Sequence, residues 1–163
     1  MDAIALIDKY YSDSPALKTI LLEHSRRVAE RCLKIAAACS ELKLDVRFLE
    51  EAALLHDIGI IETDAPGILC RGAAPYICHG YLGAEILRRE GFPRHARVCE
   101  RHTGAGLSAR EVAEKGWPIP QQDYLPETLE EQLICYADKF YSKSRPTAEK
   151  TAEQALASFS RFG

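Results

Sequence analysis

The chain has 163 residues, 47% hydrophobic and 28% charged, a balance that excludes intrinsic disorder and allows one domain with a real core. A net charge of −3 gives no general attraction to nucleic acid, and no apolar run approaches the roughly 20 residues needed to span a bilayer. Met1-Asp2-Ala3-Ile4 has no basic region and no cleavage pattern, so a cytoplasmic location is expected.

The long periodic segments read as helices. Leu17, Ile20, Leu21, His24, Val28, Cys32 and Ile35 recur at spacings of three and four, so they share a face with His24 in its middle. Ser14-Pro15 is a helix start, with Ser as the cap and Pro in the first turn. Asp45 caps the next helix, which turns Phe48, Leu49, Ala52, Leu55 and His56 inward, and Gly59 lets the chain turn afterwards. Residues 60–78 hold Pro66, Gly67, Gly72 and Pro75, a loop long enough to form an edge of a site. His79 opens a helix that Gly91-Phe92-Pro93 breaks. Another helix follows up to His102, and Ser108 caps a short one running to Lys115. Residues 116–126 are loop. Pro126-Glu127-Thr128-Leu129-Glu130-Glu131 starts a helix carrying Ile134, Ala137 and Asp138, acidic where the helix dipole favours it. Ala148, Ala152, Ala155, Leu156 and Phe159 share a face in a last helix over 147–161.

No repeat, linker or useful strand alternation is present. The fold class is all-α: a compact helical bundle of about seven helices forming one domain over 1–163. The six cysteines include no C-x-x-C pair, which excludes a zinc ribbon or thioredoxin-like motif; Cys32, Cys99 and Cys135 read as small core side chains.

His56-Asp57-Ile58-Gly59 closes the apolar stretch Phe48–Leu55. An imidazole beside a carboxylate is costly there unless both are satisfied, and a shared metal ion would satisfy both. The chain has five histidines, and four of them fall with Asp57 and Asp138 in the order His24, His56-Asp57, His79, His102, Asp138. The gaps of 32, 22, 23 and 36 residues each hold a helix and a turn, so the six can converge on one core. This ordered set, over residues 24–145, resembles the HD-domain metal-dependent phosphohydrolases, in particular their HDIG branch. His79-x-x-x-Gly83-Ala84 and His102-Thr103-x-Gly are also similar to the HD-domain dinucleoside tetraphosphate hydrolases.

The resemblance implies that His24, His56, Asp57 and Asp138 hold one divalent ion, and that His79 and His102, with Asp57 reaching across, hold a second. It implies Fe or Mn; a His-rich set with two carboxylates also accepts Zn, Ni or Co, with Mg allowed. Asp57 and Lys139 are the expected catalytic residues. Lys139, Arg145, Arg27 and Arg101 are the expected contacts to an anionic substrate. His95 has no place in the pattern and reads as a surface or capping residue. The expected partner is a phosphorylated small molecule or nucleotide, with no membrane and no strong nucleic-acid signal, and a homo-oligomer is allowed. The expected activity is hydrolysis of a phosphate ester or nucleotide by a metal-activated hydroxide. Alternatives are a symmetrical dinucleoside polyphosphate hydrolase, an HD-type diiron oxygenase and a non-catalytic nucleotide-binding module.

Overall fold

A computed structural model describes residues 1–159, the side chains of Pro146, Thr147 and Phe159 excepted. The molecule is an all-α bundle in which eight α-helices are joined by short turns and two small sheets among the described residues. The first helix, α1 (Ala3–Tyr11), is one more than the sequence suggests. Asp2 caps it by accepting from the Ala5 amide, and it buries Ala3, Leu6, Ile7 and Tyr11. Nine residues are too few to show a period clearly; tertiary burial makes this helix. The Tyr11 hydroxyl donates to the Ile58 carbonyl at 2.8 Å and so pins the turn after His56-Asp57.

The long α2 (Pro15–Ala38) carries His24 on its buried stripe. Ser14 stands at its cap position, but the hydroxyl makes no capping bond; its carbonyl takes the Lys18 amide at 2.9 Å. In α3 (Val46–Leu55) Asp45 is the cap, accepting from the Phe48 amide, and His56 and Asp57 follow directly. A 3₁₀ turn, Ile58–Glu62, leads into the segment expected as loop. That segment is in fact a small sheet. Its strands are β1 (Thr63–Ala65), β2 (Cys70–Arg71) and β3 (Ala74–Pro75), with β1 central, antiparallel to β2 and parallel to β3. Runs of two and three residues leave no alternation to read.

Next come α4 (His79–Arg89), α5 (Pro93–Arg101), α6 (Ala109–Lys115) and α7 (Leu129–Asp138). Reciprocal capping boxes open α6 (Ser108 with Glu111) and α7 (Thr128 with Glu131). Buried Glu131 also accepts from Arg97 of α5 at 2.9 Å, which fixes the start of the helix that ends in Asp138.

The chain beyond Asp138 departs from the helical reading. A hairpin of β4 (Tyr141–Ser142) and β5 (Arg145–Glu149) precedes α8 (Ala152–Phe159). The last helix therefore starts at Ala152, not 147, and its end at 160–161 lies outside the described residues. Nor do its apolar residues share a buried face: Ala155 is buried, but Ala148, Ala152 and Leu156 are exposed. Arg145-Pro146 keeps helix from running through this stretch from α7. Proline blocks the helical hydrogen bond and pushes the residue before it into extended backbone.

Two apolar clusters build the core. One joins α1, the first half of α2, the end of α3, α4 and α5 through residues such as Leu21, Leu55 and Ile86. The other joins the second half of α2 to α3 and α7 through Val28, Leu49 and Ile134. His24 stands between Leu21 and Val28, where the two clusters meet.

Candidate metal centre

The six residues expected to converge do so. Their polar atoms fall into two groups, His24, His56, Asp57 and Asp138 in one, and Asp57, His79 and His102 in the other, each within 4.8 Å. Asp57 belongs to both through different oxygens. Its Oδ2 lies 3.2 Å from His24 Nε2 and 2.9 Å from His56 Nε2. Its Oδ1 lies 3.4 Å from both His79 Nε2 and His102 Nε2. Asp138 Oδ1 closes the first group, 2.9 Å from His24 Nε2 and 3.5 Å from His56 Nε2.

Local structure fixes which ring nitrogen faces inward. His56, His79 and His102 each direct Nδ1 at the carbonyl three residues earlier, Ala53, Tyr76 and Cys99, at 2.7 Å. A carbonyl can only accept, so Nδ1 carries the hydrogen and Nε2 of the neutral ring presents a lone pair to the centre. His79 Nε2 and His102 Nε2 stand 3.1 Å apart, two acceptors facing each other beside a carboxylate. His56 Nε2 and both Asp57 oxygens are buried with no hydrogen bond of good geometry. A cluster in which acceptors outnumber donors is costly to bury; cations placed among them reduce the cost. The residues fit divalent metal ions.

The electrostatics agree. Burial alone would raise the Asp57 carboxyl, but the positive charge of His56 and Lys143 outweighs it and holds the group well below the usual carboxylate range. Burial likewise opposes charge on His56, yet Asp57 and Asp138 push that ring up to about 9, so the first group attracts positive charge. A metal ion held there would displace that proton. His79 is driven down to about 3 by burial and by His102, and His102 is lowered by burial; both rings are neutral at physiological pH. The ring of Tyr76 stacks on His79 at 4.6 Å and completes the wall.

The expected substrate cations divide. Lys139 is at the centre, its Nζ 2.9 Å from Asp138 Oδ2 and 3.3 Å from the His102 carbonyl. Arg145 sits exposed on β5 and lines a neighbouring cavity of about 550 Å³, not the one that contains Asp138. Arg27 pairs with Glu149 at 3.6 Å and lies over the Tyr141 ring at 4.4 Å, so it braces the hairpin. Arg101 donates to the Leu125 carbonyl at 2.7 Å and pairs with Glu127 at 2.6 Å, which ties α5 to the loop before α7. His95 is half-buried rather than on the surface. It packs edge-on to Phe48 and Phe92, with Nε2 3.3 Å from Glu51.

One cation at the centre escapes sequence reasoning. Lys143, in the turn between β4 and β5, reaches in to place Nζ 2.5 Å from Asp57 Oδ2, with its side chain 11% exposed. Burial disfavours its charge, but Asp57, Tyr76 and Asp138 hold it an ammonium, above its ordinary pKa. A helix continued past Asp138 would put Arg145 on the ligand face; the hairpin puts Lys143 there instead. The sequence signal is Pro146, which forbids that helix.

A cavity of about 520 Å³ opens beside Asp138. Lys139, Lys143 and Lys150 line it, with Ser142, Ser144 and Ser158; Tyr76 and the 65–68 turn form its apolar side. The segment expected as an edge of the site does border it.

The sequence comparisons match this architecture. The chain belongs to the HD domain family, whose model matches residues 21–142. An uncharacterized protein of Methanocaldococcus jannaschii is 40% identical over 124 residues, covering 70% of this chain and 66% of that protein. A tRNA (cytidine(56)-2'-O)-methyltransferase of Picrophilus torridus is 34% identical over 127 residues, 77% of this chain but 33% of that protein. The chain thus spans from about a third to just under two thirds of these relatives' length. Among solved structures, the HD domain of the L. monocytogenes phosphodiesterase PgpH aligns with a TM-score of 0.60 at 18% identity, over 96% of this chain and 81% of that one, and shares the fold.

Proposed function

We propose that the chain is a metal-dependent phosphohydrolase that cleaves a phosphate ester or nucleotide. The observation that carries this reading is Asp57, buried with each oxygen turned to a separate set of imidazole Nε2 atoms. That is a bridging carboxylate's arrangement. His24, His56, Asp57 and Asp138 would hold one ion, and Asp57, His79 and His102 the other; Fe or Mn is favoured, with Zn, Ni, Co or Mg as substitutes. Two divalent ions, when bound, supply Lewis acidity toward both attacking and leaving oxygens and a nucleophile at neutral pH.

The chain's residues supply the rest. Backbone carbonyls of Ala53, Tyr76 and Cys99 hold the Nδ1 hydrogen of three rings, so Nε2 faces the centre; His79 and His102 are already neutral there, and His56 would give up its proton to an ion. Lys139, held between Asp138 and the His102 carbonyl, keeps an ammonium at the cavity floor where phosphoryl charge collects. The apolar side of the cavity takes the organic part of the ester. Six free cysteines and no helix long and apolar enough to cross a membrane, among the described residues, suit a reduced, cytoplasmic setting.

Anaerobic purification, metal analysis and a hydrolysis screen that follows both phosphate and nucleotide products test the reading. The screen should include p-nitrophenyl phosphate, nucleoside monophosphates and dinucleoside polyphosphates. Hydrolysis that needs metal but no oxygen is expected. Metal-loaded protein that yields neither phosphate nor a cleaved nucleotide product from any of them, or that turns over only with oxygen, would overturn it.

A further inference from the structure

Lys143 does not belong to the ligand set, yet it reaches the same carboxylate. The hairpin that carries it is fixed from both strands. Arg31 of α2 donates to the Tyr141 hydroxyl at 3.1 Å on β4 and to the Glu149 carboxylate on β5. Its guanidinium also lies over the Phe140 ring at 3.6 Å, and the Lys150 amide closes the base of the hairpin on the Phe140 carbonyl at 2.9 Å. The helix that positions His24 therefore also positions Lys143.

A purely structural reading makes Lys143 the counter-charge of Asp57. The charge balance argues against it. With two divalent ions in the cluster, Asp57 and Asp138 are already outweighed, and the ammoniums of Lys139 and Lys143 add to the excess. A long side chain would then be ordered to bring like charge to like charge. What repays it is an anion arriving from the cavity that Lys143 lines. Ser142 and Ser144, on either side of Lys143, turn hydroxyls toward each other at 3.0 Å and line the same cavity. Ammonium and hydroxyl donors beside an apolar wall suit a tetrahedral oxyanion with an organic substituent.

We infer that Lys143 is a substrate-binding residue, which exchanges the Asp57 carboxylate for a phosphoryl oxygen when a phosphate ester enters the cavity. This deepens the phosphohydrolase reading and rests on it. No covalent bond breaks in the exchange: an ion pair with Asp57 is traded for a charge-assisted hydrogen bond to the phosphoryl oxygen.

The test uses metal-loaded protein with inorganic phosphate as the probe. Wild type, Lys143→Met and Lys143→Arg are titrated calorimetrically, with metal content measured on each preparation. Lys143→Met should keep its metal and bind phosphate about tenfold or more weakly, as expected for one lost charge-assisted bond, and Lys143→Arg should recover part of the loss. Wild-type phosphate affinity in Lys143→Met would overturn the inference. If that variant loses metal or does not fold, a crystal structure of the wild type with phosphate decides. Nζ within about 3 Å of a phosphate oxygen supports the role. Nζ still on Asp57 beside a seated phosphate overturns it. Wild type that binds phosphate through Lys143 but hydrolyses no ester sinks the hydrolase reading alone. Lys143→Met that hydrolyses esters as well as an active wild type sinks this inference alone.

Discussion

Asp57 is fully buried, and among the described residues no other carboxylate reaches both groups of imidazoles. Asparagine has nearly its shape but neither its charge nor its second acceptor oxygen. Asp57→Asn should therefore strip metal from both groups while the helices persist, as metal analysis beside circular dichroism would show. The double change His79→Ala/His102→Ala should remove only the second ion, taking the content from about two per chain to about one, with phosphate release falling on the order of 10²-fold or more. A normal metal count in Asp57→Asn would make the His56-Asp57 pair structural.

At the scale of elements, the two halves of the site are joined by close backbone contact. A Cβ at Gly59 would stand 2.2 Å from the His79 carbonyl oxygen and 2.3 Å from the Gly83 amide nitrogen. The 3₁₀ turn after Asp57 lies directly on the first turn of α4, and Gly83 accepts that approach from the other side. Gly59 thus serves close packing, not the freedom to turn that the sequence suggested. Gly59→Ala must push α4 away from the turn, which moves His79 relative to Asp57. The expected cost is at least the ~1–3 kcal/mol of overpacking, read as a lower denaturation midpoint, together with a reduced metal count. Unchanged stability and metal content would show that α4 can slide without disturbing the site.

For the molecule as a whole, the buried acceptors make metal binding part of folding. Ions that bind the folded chain and not the unfolded one add roughly 2.7 kcal/mol at a hundred times their dissociation constant. For a chain of this size that corresponds to a melting shift of about 5–10 °C. Chelator added to the metal-loaded protein should lower the melting temperature by that order, and restored metal should bring it back. A melting temperature indifferent to chelator, with metal shown to be removed, would mean that the acceptor cluster is satisfied without it.

The sequence by itself determined the helical bundle, and the family resemblance of its ordered histidines and aspartates picked out the six converging residues. Long amphipathic stripes carry His24, apolar runs end on His56-Asp57 and Asp138, and capping residues such as Asp45 and Ser108 mark helix starts through bonds to nearby amides. These are local or periodic signals, so they survive without the rest of the chain. Other features exist only through contacts distant in sequence. α1 is held by burial and by Tyr11 on Ile58. The strands at 63–75 are too short to announce themselves. Gly59 is required by a helix twenty residues on. Tertiary structure also decided which cations reach the site. Arg27 and Arg101 are drawn to Glu149 and Glu127, whereas the hairpin clamped by Arg31 turns Lys143 inward, because a long charged side chain goes where a fixed opposite charge and its own backbone direct it.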